Sequence, residues 1–253
     1  MHRIYDKILA PQSLSRLKLI AHRGHSVSAP QNSLAAFRAA GEQRYWAIET
    51  DVRKTADGVL VCCHNATVDS LYNGTGAIVD MTWTELSRLC YRDDSRERMP
   101  LFEEYLRICH QYQALPFIET KTSDIEDVLA TAYRFFPVES IVLSSIELAH
   151  LEQVRRLSAS VFIHHIFSTP DQMRYLGRLG RCGVSYNYSD LSAFPAELVR
   201  ETHSSGALLC LRAGDTPETV KKMVSLGLDY IPTNRVTAAD MAADGKAKET
   251  AGQ

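Results

Sequence analysis

Along the chain, short runs of Ile, Leu, Val and Phe with little polar alternation are separated by amphipathic stretches. Apolar runs of this length are the pattern of strands buried on both faces, and their alternation with helical stretches is a βα rhythm. The runs fall at residues 18–21, 47–52, 116–120, 140–144, 161–167, 183–188, 207–212 and 230–233. Between them, helices are predicted at 33–40 behind Asn32, at 123–135 with Ser123 and Glu126 in capping-box spacing, and at 147–157, 170–179 and 195–204. A further one spans 217–226, with Pro217 in its first turn. Eight strands in 253 residues fit an α/β fold closed into a single (β/α)8 barrel better than an open sheet.

A ninth run, 59–64, follows the second strand after only Ala56, Asp57 and Gly58. Parallel neighbours cannot be joined so briefly, so Asp57-Gly58 predicts an antiparallel hairpin with Glu49 roughly opposite His64. Residues 65–99 then make an excursion before the next barrel strand. It is expected to be a small helical insertion over one end of the barrel, with a short helix at 83–89 behind Thr82 and Glu85. Residues 1–253 read as one barrel domain. The stretch 238–253, rich in Ala, Lys, Gly and Asp without an apolar period, reads as an exposed tail with a flexible end.

Composition narrows the partner. A net charge of -2 with 23% charged residues leaves no basic excess to track a nucleic-acid backbone, and no Lys/Arg cluster marks a membrane surface. A small-molecule substrate is therefore expected, with oligomeric state left open. Arg3, Asp6, Lys7, Arg16 and Lys18 interrupt the first twenty residues, so neither a signal peptide nor a membrane span is predicted, and the expected location is cytoplasmic. The six cysteines lack paired metal-site spacing and are read as reduced, mostly buried residues.

Barrel enzymes carry their chemistry where strands end. Four strand ends supply polar residues here: His22-Arg23-Gly24, Glu49-Thr50-Asp51, His64-Asn65 and Glu119-Thr120-Lys121. Glu49 and Asp51 share one face of their strand by the two-residue period, as do Glu119 and Lys121. Carboxylates crowded in a cleft repel and take up protons, whereas one divalent cation keeps all of them ionised. Glu49, Asp51 and Glu119 are thus candidate metal ligands, for Mg or Ca first and Mn after them. Arg23 and Lys121 are candidate phosphate-binding groups, and His22 and His64 candidate acid/base catalysts. The structural alternative is an ion-pair network that merely stabilises the barrel mouth. His25, His164, His165, Tyr186 and Tyr91 are assigned no catalytic part.

His22-Arg23-Gly24, Pro30-Gln31-Asn32-Ser33, Glu49-Thr50-Asp51-Val52, Thr55-Ala56-Asp57-Gly58 and Glu119-Thr120-Lys121 closely resemble the motif series of the glycerophosphodiester phosphodiesterase family. The resemblance implies a (β/α)8 barrel with a small insertion and metal held at Glu49, Asp51 and Glu119. It also implies acid/base histidines at His22 and His64 and phosphate held by Arg23 and Lys121. The chain departs from the family pattern at His64-Asn65 and at Thr233-Asn234, where the family usually has His-Asp and Thr-Asp. It departs again at Ser70-Leu71-Tyr72 and around residues 209–214. The expected activity is metal-dependent hydrolysis of a glycerophosphodiester-like substrate to an alcohol and a phosphomonoester. The alternatives are a sugar-containing, opine-like phosphodiester as substrate, a lyase that stops at a cyclic phosphate, and a barrel that binds a phosphate ligand without turnover.

Overall fold

The computed structural model describes residues 6–93, 96–188 and 190–251. Its strands are β1 (Leu19–Ala21), β2 (Ala47–Lys54), β3 (Leu60–Cys62), β4 (Leu115–Thr120), β5 (Val142–Ser145), β6 (Phe162–His165), β7 (Cys182–Ser185), β8 (Leu208–Cys210) and β9 (Ile231–Thr233). All but β3 pair in parallel, in the order β8-β7-β6-β5-β4-β2-β1-β9, so the eight predicted barrel strands form one nearly closed parallel barrel. Among the described residues no ladder joins β8 to β9, and separate hydrogen bonds close that seam instead. The Asp229 N–H donates to the Leu209 carbonyl at 2.8 Å while its carboxylate accepts the Leu209 N–H at 2.7 Å. The Gly214 N–H donates to the Pro232 carbonyl at 2.8 Å.

Strand β3 forms the predicted hairpin with β2, antiparallel, with Val52 opposite Cys62 and Lys54 opposite Leu60. Continuing that register sets His64 opposite Thr50, one residue from the expected Glu49. The Thr55 hydroxyl ties the turn, donating to Asp57 at 2.6 Å and accepting the Val59 N–H at 2.9 Å.

The helices are α1 (Asp6–Leu9), α2 (Leu34–Glu42), α3 (Trp83–Leu86), α4 (Phe102–Tyr112), α5 (Ile125–Tyr133), α6 (Leu148–Leu157), α7 (Pro170–Leu179), α8 (Ala196–Ser204), α9 (Pro217–Ser225) and α10 (Ala238–Ala251). Several starts differ from expectation. Ser33, and not Asn32, caps α2, its hydroxyl accepting the Ala36 N–H at 3.0 Å. Helix α5 begins after Asp124 without a side-chain cap, because Thr122 and Asp124 bond each other and no Ser123–Glu126 box forms. Helix α4 lies where no element is predicted above, although Phe102, Tyr105, Leu106 and Cys109 repeat at helical spacing and are all buried.

The expected C-terminal tail is helical over 238–251, and residues 252–253 lie outside the described residues. Alanine favours helix, and Thr237 starts it, accepting the Asp240 N–H at 3.2 Å while the Asp240 carboxylate accepts the Thr237 N–H at 2.8 Å. Met241 is buried and Lys221 pairs with Asp244, which docks α10 against α9.

Among its described residues the insertion at 65–99 is more irregular than predicted, with only the single-turn α3 and one 3-10 turn at Ile78–Asp80. Val68, Tyr72, Ile78, Leu86 and Tyr91 give it a small apolar cluster shared with Val61 of β3. The main core lies between strands and helices, whereas Ile20, Phe117, Val142, Phe162 and Tyr230 fill the barrel interior, with Ile8 of α1 beside them. Gly183 is required for that filling, since a Cβ there would lie 2.0 Å from the Tyr230 hydroxyl. Five of the six cysteines are buried, Cys90 is half-buried, and all are free. Among the described residues no helix is long and apolar enough to cross a membrane.

Candidate active site

Strand register brings the acidic residues together. Asp51 of β2 sits directly beside Glu119 of β4, and Glu49 lies two residues back on the same face. One oxygen from each of Glu49, Asp51 and Glu119 lies within 4.8 Å of the others. Glu49 and Asp51 are buried, and Glu119 is half-buried.

Two cations and an amide hold this cluster. Lys121 Nζ bonds the Glu119 carboxylate and lies 3.3 Å from Asp51 Oδ1. Arg23 donates its backbone N–H to Glu49 Oε2 at 2.7 Å, and its Nε lies 3.4 Å from Asp51 Oδ2. That contact depends on an unusual backbone: Arg23 has φ 57 and Gly24 φ +78, and a Cβ on Gly24 would meet Ala36 at 2.7 Å. Asn32 bridges the strand from beneath, donating to Asp51 Oδ2 at 3.0 Å and accepting from Thr50 Oγ1 at 2.8 Å. It is fully buried at φ 55, a left-handed conformation asparagine tolerates, which is why it sits before the helix cap and not at it.

The electrostatics remain unbalanced. Burial, then Asp51 and then Glu119 push the Glu49 carboxyl well above its ordinary range. Burial and Asp51 likewise raise Glu119, against the pull of Lys121. Glu49 Oε1 and Asp51 Oδ1 are buried oxygens without a hydrogen-bond partner. Buried acceptors of this kind are costly, and hard oxygens facing a shared point are the donor set that Mg or Ca takes. The residues present therefore fit a divalent cation.

The two histidines face the same cavity, about 510 Å³, lined also by Arg23, Glu49, Glu119, Lys121 and Asn234. His22 extends β1; its backbone N–H donates to the Thr233 carbonyl at 3.0 Å and its Nδ1 lies 2.8 Å from Asn234 Oδ1. Burial and the neighbouring Arg23 guanidinium lower its pKa, so the ring is neutral at pH 7. His64 follows β3, with Nδ1 2.9 Å from Asn65 Oδ1, and Asn65 Nδ2 donates to Ser70 at 2.7 Å. All seven residues singled out from sequence are thus within or beside one pocket. Away from the acids the wall is Ile146, Ile166, Phe167 and Leu211, with Arg212 at the rim.

Of the histidines left unassigned, His164 points into the barrel at Tyr230, 2.6 Å away, and also lines the cavity; His165 turns to Ser168 and the Ile146 carbonyl. Tyr186 packs away from the cavity, its hydroxyl on Thr202. Asn32, which reads from the sequence only as a helix start, and Asp215, which carries no sequence signal, join the site through the contacts of Asp51 and Asn234.

A profile of the glycerophosphoryl diester phosphodiesterase family matches residues 22–238. The chain belongs to that family. Bovine glycerophosphodiester phosphodiesterase 1 is 33% identical over 140 residues, covering 52% of this chain and 42% of that relative's length. The glycerophosphodiester phosphodiesterase of Caldanaerobacter subterraneus subsp. tengcongensis is 29% identical over 227 residues, 85% of this chain and 93% of its own. Enzymes so named are phosphoric diester hydrolases. An Oleispira antarctica phosphodiesterase solved with the product sn-glycerol-3-phosphate superposes with a TM-score of 0.80 at 23% identity, over 92% of this chain and all of that one. An Agrobacterium tumefaciens glycerophosphodiester phosphodiesterase gives 0.78 at 24% identity, over 90% and 99%. These two likenesses concern the barrel fold.

Proposed function

We propose that this chain hydrolyses a glycerophosphodiester-like substrate to an alcohol and a phosphomonoester. In this reading Glu49, Asp51 and Glu119 hold one divalent cation, Mg or Ca, and His22 and His64 exchange protons with the reacting oxygens. The observation that carries it is Glu49 Oε1, a buried oxygen without a hydrogen-bond partner in a cavity that both histidines line, beside Asp51 Oδ1, which has no hydrogen bond and faces Lys121 Nζ at 3.3 Å.

When bound, the cation neutralises phosphate charge and keeps the three carboxylates ionised. Arg23 and Lys121 hold the phosphate through their N–H donors, which also stabilise the charge that grows as the new P–O bond forms. One histidine removes a proton from the attacking water and the other returns one to the alcohol oxygen as its bond to phosphorus breaks. The departing alcohol lies against the wall of Ile146, Ile166, Phe167 and Leu211.

The test is release of phosphomonoester from a panel of glycerophosphodiesters and sugar phosphodiesters, with Mg, Ca or Mn and with chelator. Turnover is expected only with a cation, and phosphorus NMR separates direct monoester formation from a cyclic phosphate. Glu119→Gln should weaken cation binding measured by calorimetry while leaving the fold intact. Turnover that survives chelation would refute the metal part of the reading.

A further inference from the structure

Behind His22 lies a chain of contacts that the reaction outlined above does not use. His22 Nδ1 meets Asn234 Oδ1 at 2.8 Å. Asn234 Nδ2 in turn donates to Asp215 Oδ2 at 2.7 Å, and the Asn234 backbone N–H donates to Asp215 Oδ1 at 2.7 Å. The Thr233 hydroxyl adds a third donor to Asp215, at 3.1 Å.

The direction of this chain is dictated by chemistry. An ionised carboxylate only accepts, so the Asn234 edge facing Asp215 must be its NH2. The edge facing His22 is then the carbonyl oxygen, which also only accepts. His22 Nδ1 must therefore carry the proton, and in the neutral ring Nε2 is left with its lone pair. A neutral imidazole whose Nε2 is free of a proton is a base.

We infer that Asp215 is a positioning residue that acts through Asn234 to fix the His22 tautomer, making His22 the general base and leaving His64 as the general acid. This rests on the proposed phosphodiesterase reading for its catalytic consequence but not for the tautomer itself. Where the resemblance leads one to expect an acidic residue beside the histidine, this chain has an amide, and the carboxylate stands one link further out. His22 Nε2 takes the proton of the attacking water as its oxygen bonds phosphorus, and the proton lost by His64 goes to the departing alkoxide, so charge and protons balance.

Three variants of the full chain test the relay at pH 8 with added Mg. Asp215→Asn leaves the Asn234 amide free to turn either way, and kcat is expected to fall about 10- to 100-fold with KM little changed, below the full worth of a general base. Asn234→Ala should give a similar loss while sparing the backbone and Thr233 contacts of Asp215. The double variant Asp215→Asn/Asn234→Asp exchanges the carboxylate and the amide between the two positions. It restores an acceptor beside His22 Nδ1, held in place by the NH2 of the relocated amide, and is expected to recover most of the kcat.

Nitrogen NMR of histidine-labelled protein, with the His22 signal assigned by His22→Gln, reads the tautomer independently of turnover. Wild type and double variant should show protonated Nδ1 and bare Nε2, and Asp215→Asn a mixture. A single unchanged tautomer in folded Asp215→Asn, or undiminished kcat there, overturns the inference. If no phosphodiester is turned over but the tautomer still mixes in Asp215→Asn, the functional reading fails and the positioning stands.

Discussion

The two histidines are supported in unlike ways. Each leans its Nδ1 on an asparagine oxygen, at 2.8 Å for His22 and 2.9 Å for His64. Behind Asn234 stands a carboxylate with three donors, anchored between β8 and β9 of the barrel wall. Behind Asn65 stands the Ser70 hydroxyl, on an exposed part of the insertion. A carboxylate can only accept, whereas a hydroxyl can donate or accept, so the first arrangement forces one proton position and the second allows two. A base that must start bare at one nitrogen gains from the first. A group that gives up a proton and recovers it each turnover is served by the second.

The largest expected effect breaks the pair apart chemically. Replacing either His22 or His64 by Ala should lower kcat by roughly 10²- to 10⁴-fold on a glycerophosphodiester. On an aryl diester such as a p-nitrophenyl phosphodiester, the departing oxygen needs no proton. There the His64→Ala loss should shrink to less than about tenfold while the His22→Ala loss persists. Rescue of His22→Ala alone would reverse the assignment of base and acid, and equal rescue of both variants would abolish it.

That asymmetry is only half legible in the amino-acid order. The strand-end acids and both histidines can be read because buried parallel strands show as apolar runs and the two-residue period places Glu49 with Asp51 and Glu119 with Lys121. Asn234 is visible as a departure from the family pattern. Asp215 is not, because its partner lies on the next strand and no local period links the two. Asn32 reads as a helix cap since Asx residues favour such positions, and only the fold reveals its left-handed backbone and its bridge between Thr50 and Asp51. Helix α4 carries a helical apolar period between the hairpin and β4, masked by the polar excursion that precedes it.

A middle-sized effect sharpens the comparison through pH. A base must be neutral to act, and burial together with Arg23 lowers the His22 pKa below its ordinary 6.5. The acid limb of kcat/KM should therefore lie below pH 6.5, with activity rising as pH increases through it. In Asp215→Asn/Asn234→Asp the carboxylate bonds the imidazole directly and favours its charged form, so the limb should move up by about one unit. An unmoved limb in that variant would mean that the limb reports a group other than His22.

The smallest effect is expected on the other side. Ser70→Ala removes the hydroxyl that accepts from Asn65 Nδ2 but leaves the His64–Asn65 contact in place. The freed NH2 is exposed and finds water, so little hydrogen-bond energy is lost, and kcat should change by less than about threefold. Asp215→Asn cannot be compensated in this way, because water would not impose one orientation on the Asn234 amide. If Ser70→Ala instead matched Asp215→Asn in its loss of kcat, the Ser70 hydroxyl would be orienting Asn65 as firmly as the carboxylate orients Asn234. The two supports would then be equivalent despite their different chemistry.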